Sequence, residues 1–234
     1  MTKLFRYIGD ASIPYRTIMK DHEDFFVGDF QIRIKSLVIA EQTHSQNVHI
    51  CAEADNGAGF HEHPQIMDCD ALVTNIPNQF LLIRTADCTP VLFFDLQNQA
   101  VGAIHSGREG TRKNIVLATV RTMQQAYGTK PSQLLAWIGP GVCRDHYPVN
   151  PQTGQEFYDA CLKSGLKLKT FDIRYPDIQA VLRLQLLASG LKEDNIVMNK
   201  TCTYESLTHF SYRRDGTHNR QVNLIGMYNG KYHL

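Results

Sequence analysis

The sequence is short of most features that would give its role away at a glance. No run approaches the ~18 uninterrupted apolar residues of a membrane span in its 234 residues. The N-terminus, Met1 to Asp10, lacks the apolar core of a secretory signal. The six cysteines are scattered, and none forms a C-x-x-C pair. In a reducing compartment scattered cysteines are mostly core thiols, and the informative exception is a metal ligand or a nucleophile. Neither sign of charge is in excess: 24 Lys+Arg stand against 23 Asp+Glu, for a net +1. A bulk electrostatic case for nucleic acid or an anionic membrane is therefore missing. No internal repeat and no Pro/Gly/Ser-rich linker interrupts the chain. The expectation is one cytoplasmic domain over residues 1–234, with neither nucleic acid nor membrane as partner.

What is present is a series of short apolar runs punctuated by turn residues. Residues 36–40, 80–84, 91–95, 100–104 and 134–138 read as strands. Shorter strands fit 25–27 and 30–32. Val116, Val120, Met123 and Tyr127 recur at helical spacing and stop at Gly128. Phe157, Ala160 and Cys161 mark a second helix ended by Gly165. Pro176 suits the first turn of a third, which runs through Ile178, Val181, Leu182 and Leu186 to Gly190. Strands and helices alternate only in part. The pattern predicts a single-domain α/β fold, a mixed sheet layered with helices.

Three residues follow strand candidates: His44, Cys88 and His105. Side chains from neighbouring strand ends converge at one rim of a sheet, where α/β enzymes place their sites. Two imidazoles and a thiolate suit Zn²⁺, and three protein ligands leave a fourth position for water or substrate. The bland reading of each is a structural residue at a strand end. The context favours more. Cys88 lies between a turn-forming Asp87 and Pro90. His105 opens Ser106-Gly107-Arg108-Glu109-Gly110, whose glycines let backbone approach a ligand, with a helix start near Thr111 offering N–H groups to an anion. A plain strand-to-helix connection is the alternative.

In order along the chain stand Thr43-His44-Ser45, Asp70-Ala71-Leu72-Val73-Thr74, Thr85-Ala86-Asp87-Cys88-Thr89-Pro90-Val91, His105-Ser106-Gly107 and Ile138-Gly139-Pro140-Gly141. Cys202-Thr203 and Phe210-Ser211-Tyr212-Arg213-Arg214 follow. Together these segments resemble the YfiH family, also called the laccase-domain or multicopper polyphenol oxidase family, over about residues 36–225. The resemblance implies a zinc enzyme acting on purine nucleosides. The implied activities are phosphorolysis of adenosine, inosine and methylthioadenosine, and deamination of adenosine. Its His, Cys and His ligands map onto His44, Cys88 and His105. The sequence departs from the family in two places. Arg108-Glu109 stands where Trp-Arg is usual, and the N-terminal Thr-Arg-x-Gly-Gly-Val-Ser segment is reduced to Ile13-Pro14-Tyr15-Arg16-Thr17. The metal set is kept, while the anion contacts are altered.

The family's older name suggests copper, but a multicopper oxidase relies on many His-x-His pairs. This chain has one, His61 and His63, in a polar loop. Copper could still load the triad in vitro, since it outbinds zinc in most sites. Further candidates are Asp70 as general base or ligand-orienting group, and Arg108, Arg213 and Arg214 as contacts for phosphate or ribose. Cys143 could line the site, whereas Cys161 reads as core. Phe210 and Tyr212 alternate as strand residues would. Two other classes remain open: a Cys88 nucleophile with a histidine base, and a nucleoside-binding protein without turnover.

Overall fold

The computed structural model describes residues 2–18, 23–168 and 172–229. Its strands, in chain order, are β1 (Thr2–Ile8), β2 (Asp24–Val27), β3 (Phe30–Arg33), β4 (Leu37–Ile39), β5 (Val48–Ile50), β6 (Ala71–Thr74), β7 (Phe80–Thr85), β8 (Thr89–Asp95), β9 (Ala100–Ser106), β10 (Leu135–Ile138), β11 (Ile196–Met198) and β12 (Gln221–Asn229). The helices are α1 (Tyr15–Ile18), α2 (Arg108–Arg112), α3 (Ile115–Tyr127), α4 (Pro151–Lys163), α5 (Ile178–Ala188) and α6 (Tyr212–Asp215). The fold is mixed α/β, as the sequence pattern predicts. No helix among the described residues is long and apolar enough to cross a membrane.

Two mixed sheets carry the molecule. One has four strands in the order β1-β12-β7-β4, the other six in the order β11-β10-β8-β9-β6-β5, and β2 and β3 form a separate hairpin. Period-2 alternation tells each strand which layer it serves. In β8, Val91 and Phe93 join the core beneath the helices, while Leu92 and Phe94 face the second sheet. In β7, Leu81 and Ile83 enter that inter-sheet core, whereas Phe80 and Leu82 pack with the hairpin on the far side. The resulting layers are helices, six-stranded sheet, four-stranded sheet and hairpin. A strand buried on both faces has no polar face to show, which is why β8 and β9 read as near-continuous apolar runs.

The helices end where the glycines predict. Gly128 takes φ +71° and donates its N–H back to Gln124 and Met123. Asn114 caps the start of α3 by accepting from the Leu117 N–H. Pro176 lies just outside α5, because Asp177 caps that helix through the Ala180 N–H. The segment around Phe210 and Tyr212 corrects the expected strand. Ser211 accepts from the Arg214 N–H and opens the single turn α6, closed by Gly216 at φ +61°. The local cap outcompetes two alternating aromatics.

Candidate active site and metal centre

The link between β7 and β8 carries the chain from the four-stranded sheet to the six-stranded sheet in only three residues, 86–88. Cys88 sits in this link, His44 in the loop leaving β4, and His105 near the end of β9. The site therefore straddles the rims of both sheets. The metal-binding atoms of His44, Cys88 and His105 all lie within 4.8 Å of one another. Cys88 Sγ is 3.7 Å from His44 Nε2, and the two imidazoles meet edge to face at 4.9 Å.

Backbone geometry is strained at this place. His44 has φ +61° and Asp87 φ +83°, both in the left-handed region that non-glycine residues avoid. Polar contacts hold the strain. Asp87 Oδ1 accepts from Thr203 Oγ1 at 2.7 Å and Oδ2 from the Arg213 N–H at 2.6 Å. Lys113 Nζ donates to the His44 carbonyl at 2.9 Å. Gly107 completes the cradle: a Cβ there would lie 2.6 Å from Cys88 Sγ and 3.1 Å from His44 Cδ2.

Asp70 ties the two histidines together from behind. Its Oδ1 lies 2.7 Å from His105 Nδ1. Its Oδ2 accepts from the Ser45 N–H at 2.6 Å, the Thr43 N–H at 3.1 Å and Ser45 Oγ at 2.9 Å. The carboxylate is completely buried and does not line the cleft, so its reach is to the histidines. With Nδ1 engaged, Nε2 of His105 is left for a metal.

The electrostatics follow from this packing. Burial opposes ionisation of Cys88, but the adjoining His105 and His44 outweigh it and bring the thiol down to about 6. Burial likewise disfavours a charged His105, yet Cys88 and Asp70 raise it to about 9. Burial would raise Asp70, while His105 and Ser45 hold it down to about 2. Without a metal the pair is a thiolate beside an imidazolium. The donor set of two imidazoles and one thiolate fits a three-ligand zinc site.

A cleft of about 970 Å³ opens over this cluster. Tyr15, Tyr147 and Tyr212 line it, together with Arg84, Arg213, Arg220, Gln42 and His218. Each arginine lies over one of these rings: Arg84 over Tyr15 at 4.9 Å, Arg213 over Tyr147 at 4.8 Å and Arg220 over Tyr212 at 5.9 Å. Of the arginines singled out in the sequence, Arg213 reaches the cleft and the other two are spent elsewhere. Arg214 donates to the carbonyls of Thr203, Tyr204, Ser206 and His209 and pairs with Asp215. Arg108 pairs with Glu109 at 3.1 Å, and Arg112 grips the same carboxylate at 2.8 Å. Glu109 is thereby neutralised rather than left as a bare acid. The helix after His105 starts at Arg108, three residues earlier than expected, with Glu109 in its first turn. Arg16 is exposed and is not among the cleft residues; its neighbour Tyr15 is.

Arg220, which the sequence places just beyond the Arg213-Arg214 pair in one basic cluster, also lines the cleft; sequence reasoning missed Arg84, Tyr147 and His218. Arg84 carried a signal, being a cation at the end of an otherwise apolar strand. The other two sit in loops with no local pattern. The remaining cysteines divide. Cys51, Cys69 and Cys161 are core, whereas Cys143 and Cys202 meet away from the cleft lining. His61 and His63 are exposed in their turn and belong to no metal-capable group among the described residues. Those groups contain His44 with His105, His146 alone and His49 alone, which is not the histidine-rich arrangement of several coppers.

Residues 17–228 match the model of the multi-copper polyphenol oxidoreductase laccase family. The purine nucleoside phosphorylase YlmD of Bacillus subtilis is 32% identical over 216 residues, covering 90% of this chain and 77% of that protein. The adenosine deaminase RL5, from an unknown prokaryotic organism, is 30% identical over 84% of this chain and 76% of its own length. The crystal structure of YlmD from Geobacillus stearothermophilus superposes with a TM-score of 0.77 at 27% identity, covering 85% of this chain and 76% of that one. By fold and sequence, the chain belongs to the multi-copper polyphenol oxidoreductase laccase family.

Proposed function

We propose that this chain is a zinc-dependent purine nucleoside enzyme. It cleaves adenosine, inosine or methylthioadenosine with phosphate and also deaminates adenosine. The observation that carries this reading is the meeting of His44, Cys88 and His105 in a cleft walled by three tyrosines, each beneath an arginine. The names of its relatives, a nucleoside phosphorylase and an adenosine deaminase, support the substrate class.

His44, Cys88 and His105 would hold the metal. When bound, zinc supplies a Lewis acid and makes water acidic enough to react near neutral pH. The chain's own residues do the rest. Asp70 accepts the Nδ1 proton of His105, which fixes the ring and its tautomer; it acts as a positioning residue. Tyr147 and Tyr212 offer flat faces to a purine. Arg213, with Arg84 and Arg220, answers the charge of phosphate, replacing the family arginine that Glu109 has displaced. The cleft, about 970 Å³, matches the upper range of small-molecule pockets.

The test is to incubate purified, metal-analysed protein with adenosine, with and without phosphate. Adenine formed only with phosphate marks phosphorolysis; inosine formed without it marks deamination. Cys88→Ala should lose the cleft zinc and both products. A Cys88→Ala protein with full zinc and full turnover overturns the reading. One observation favours a second reading: Cys88 Sγ lies 3.7 Å from His44 Nε2, and with the neighbouring histidines drawing the thiol down to about 6 this suits a Cys88 nucleophile with a histidine base. Activity in metal-free protein, abolished by alkylation of Cys88, would establish that instead.

A further inference from the structure

Behind the cleft wall lies a second group of metal-ligating side chains: Cys143, His146, Cys202 and Glu205. The two halves have the same spacing, Cys-x-x-His at 143–146 and Cys-x-x-Glu at 202–205. Each half is a tight turn. The His146 N–H donates to the Cys143 carbonyl, and the Ser206 N–H donates to the Cys202 carbonyl. A parallel bridge between Gly141 and Cys202 brings the turns side by side, and the Thr203 N–H donates to the Gly141 carbonyl at 3.1 Å.

The four ligand atoms converge. His146 Nδ1 lies 3.2 Å from Cys143 Sγ, 3.8 Å from Cys202 Sγ and 3.3 Å from Glu205 Oε1. A tetrahedral zinc with ordinary bond lengths places its ligand atoms about 3.3–3.8 Å apart. His146 is held in that attitude by stacking on Tyr204, with centroids 4.5 Å apart and the planes 12° from parallel. The Cys143 N–H also points at Cys202 Sγ, 3.2 Å away, a contact that fixes this sulfur against the opposite turn.

We infer that Cys143, His146, Cys202 and Glu205 form a second divalent-metal site, a closed four-ligand structural zinc site distinct from the open His44, Cys88, His105 set. Binding displaces the two thiol protons to water and leaves both sulfurs as thiolates on the ion. The ion clips the loop after β10 to the loop before α6. Both loops serve the cleft: Tyr147 follows His146 directly, and Thr203 holds the Asp87 carboxylate beside Cys88. The site does not depend on the nucleoside reading, because its ligands are separate from those of the cleft.

Metal counting on the full-length protein tests it, with zinc as the probe and native mass spectrometry as the readout. Wild type should hold two zinc ions per chain. Cys143→Ser and His146→Ala should hold one, as should Cys88→Ala, and Cys88→Ala with Cys143→Ser none. Cobalt loaded into Cys88→Ala should still show strong thiolate-to-metal absorption, since two sulfurs remain. Should Cys202→Ser fail to fold, Glu205→Gln serves instead: Glu205 is well exposed, and its loss should weaken zinc binding at least roughly tenfold. One zinc per chain, lost in Cys88→Ala and unaffected in Cys143→Ser, overturns the inference. So does a Cys143–Cys202 disulfide in protein purified under reducing conditions.

Discussion

At the scale of single residues, the cleft is governed by charges that stabilise one another. In metal-free protein Cys88 is a thiolate above about pH 6, whereas burial pushes Cys69 up to about 11 and raises Cys51 further. Alkylation near neutral pH should therefore label Cys88 first. Its rate should rise with pH through about 6, and zinc should suppress it; peptide mass spectrometry reads all three. Asp70 makes a second prediction. Its folded-state pKa, about 2, lies well below the ordinary carboxylate value. A depressed carboxylate contributes stability above its unfolded pKa and loses it as pH falls through the folded one. The contribution, on the order of 2 kcal/mol, should fade between about pH 4 and pH 2. Urea unfolding should reveal that slope, and Asp70→Asn should flatten it.

At the scale of elements, close backbone approach decides what the helices can do. Gly154 lies in the first turns of α4, and a Cβ there would fall 1.5 Å from the Ile173 carbonyl oxygen. No rotamer relieves a clash with backbone, so Gly154→Ala must shift α4 or the 172–174 segment. It should cost about 1–3 kcal/mol or more, seen as a lower urea midpoint. Gly107 is tight for a different reason, since a Cβ would meet the Cys88 sulfur. Gly107→Ala should leave the unfolding midpoint close to wild type and weaken zinc retention in the cleft, measured by competition with a chelator. The two glycines separate a fold position from a site position.

At the scale of the whole molecule, the stack of helices and two sheets gives β8 and β9 a neighbour on each face. Phe93 is completely buried among helix residues such as Val116 and Met123. Phe93→Ala should cost about 3–5 kcal/mol, readable by chemical denaturation. The same layering sets the site. The crossing from β7 to β8 takes only three residues, so it must turn sharply, and Asp87 accepts a left-handed backbone to do so. The loops that close over this crossing come from β10 and from the chain before β12. Fold and site are thus built from the same long-range contacts.

Much of this was legible from residue order. Apolar runs located the main strands, because burial on both faces removes polar residues from them. Glycines at 128, 165 and 190 marked helix ends, because each takes a positive φ that other residues resist. The triad of His44, Cys88 and His105 stood out because strand ends converge. Tertiary structure decided the rest. The division into two sheets depends on pairings such as β12 with β7, more than 130 residues apart, for which period-2 alternation carries no address. Which arginines reach the cleft was settled by where packing places them: Arg214 turns to four carbonyls and Arg108 to Glu109, whereas Arg84, Arg213 and Arg220 line the cleft while also donating to nearby protein oxygens. The meeting of Cys143 with Cys202, 59 residues apart, rests on a single bridge between loops. Local sequence sets what each residue prefers, and only the packed chain sets what it touches.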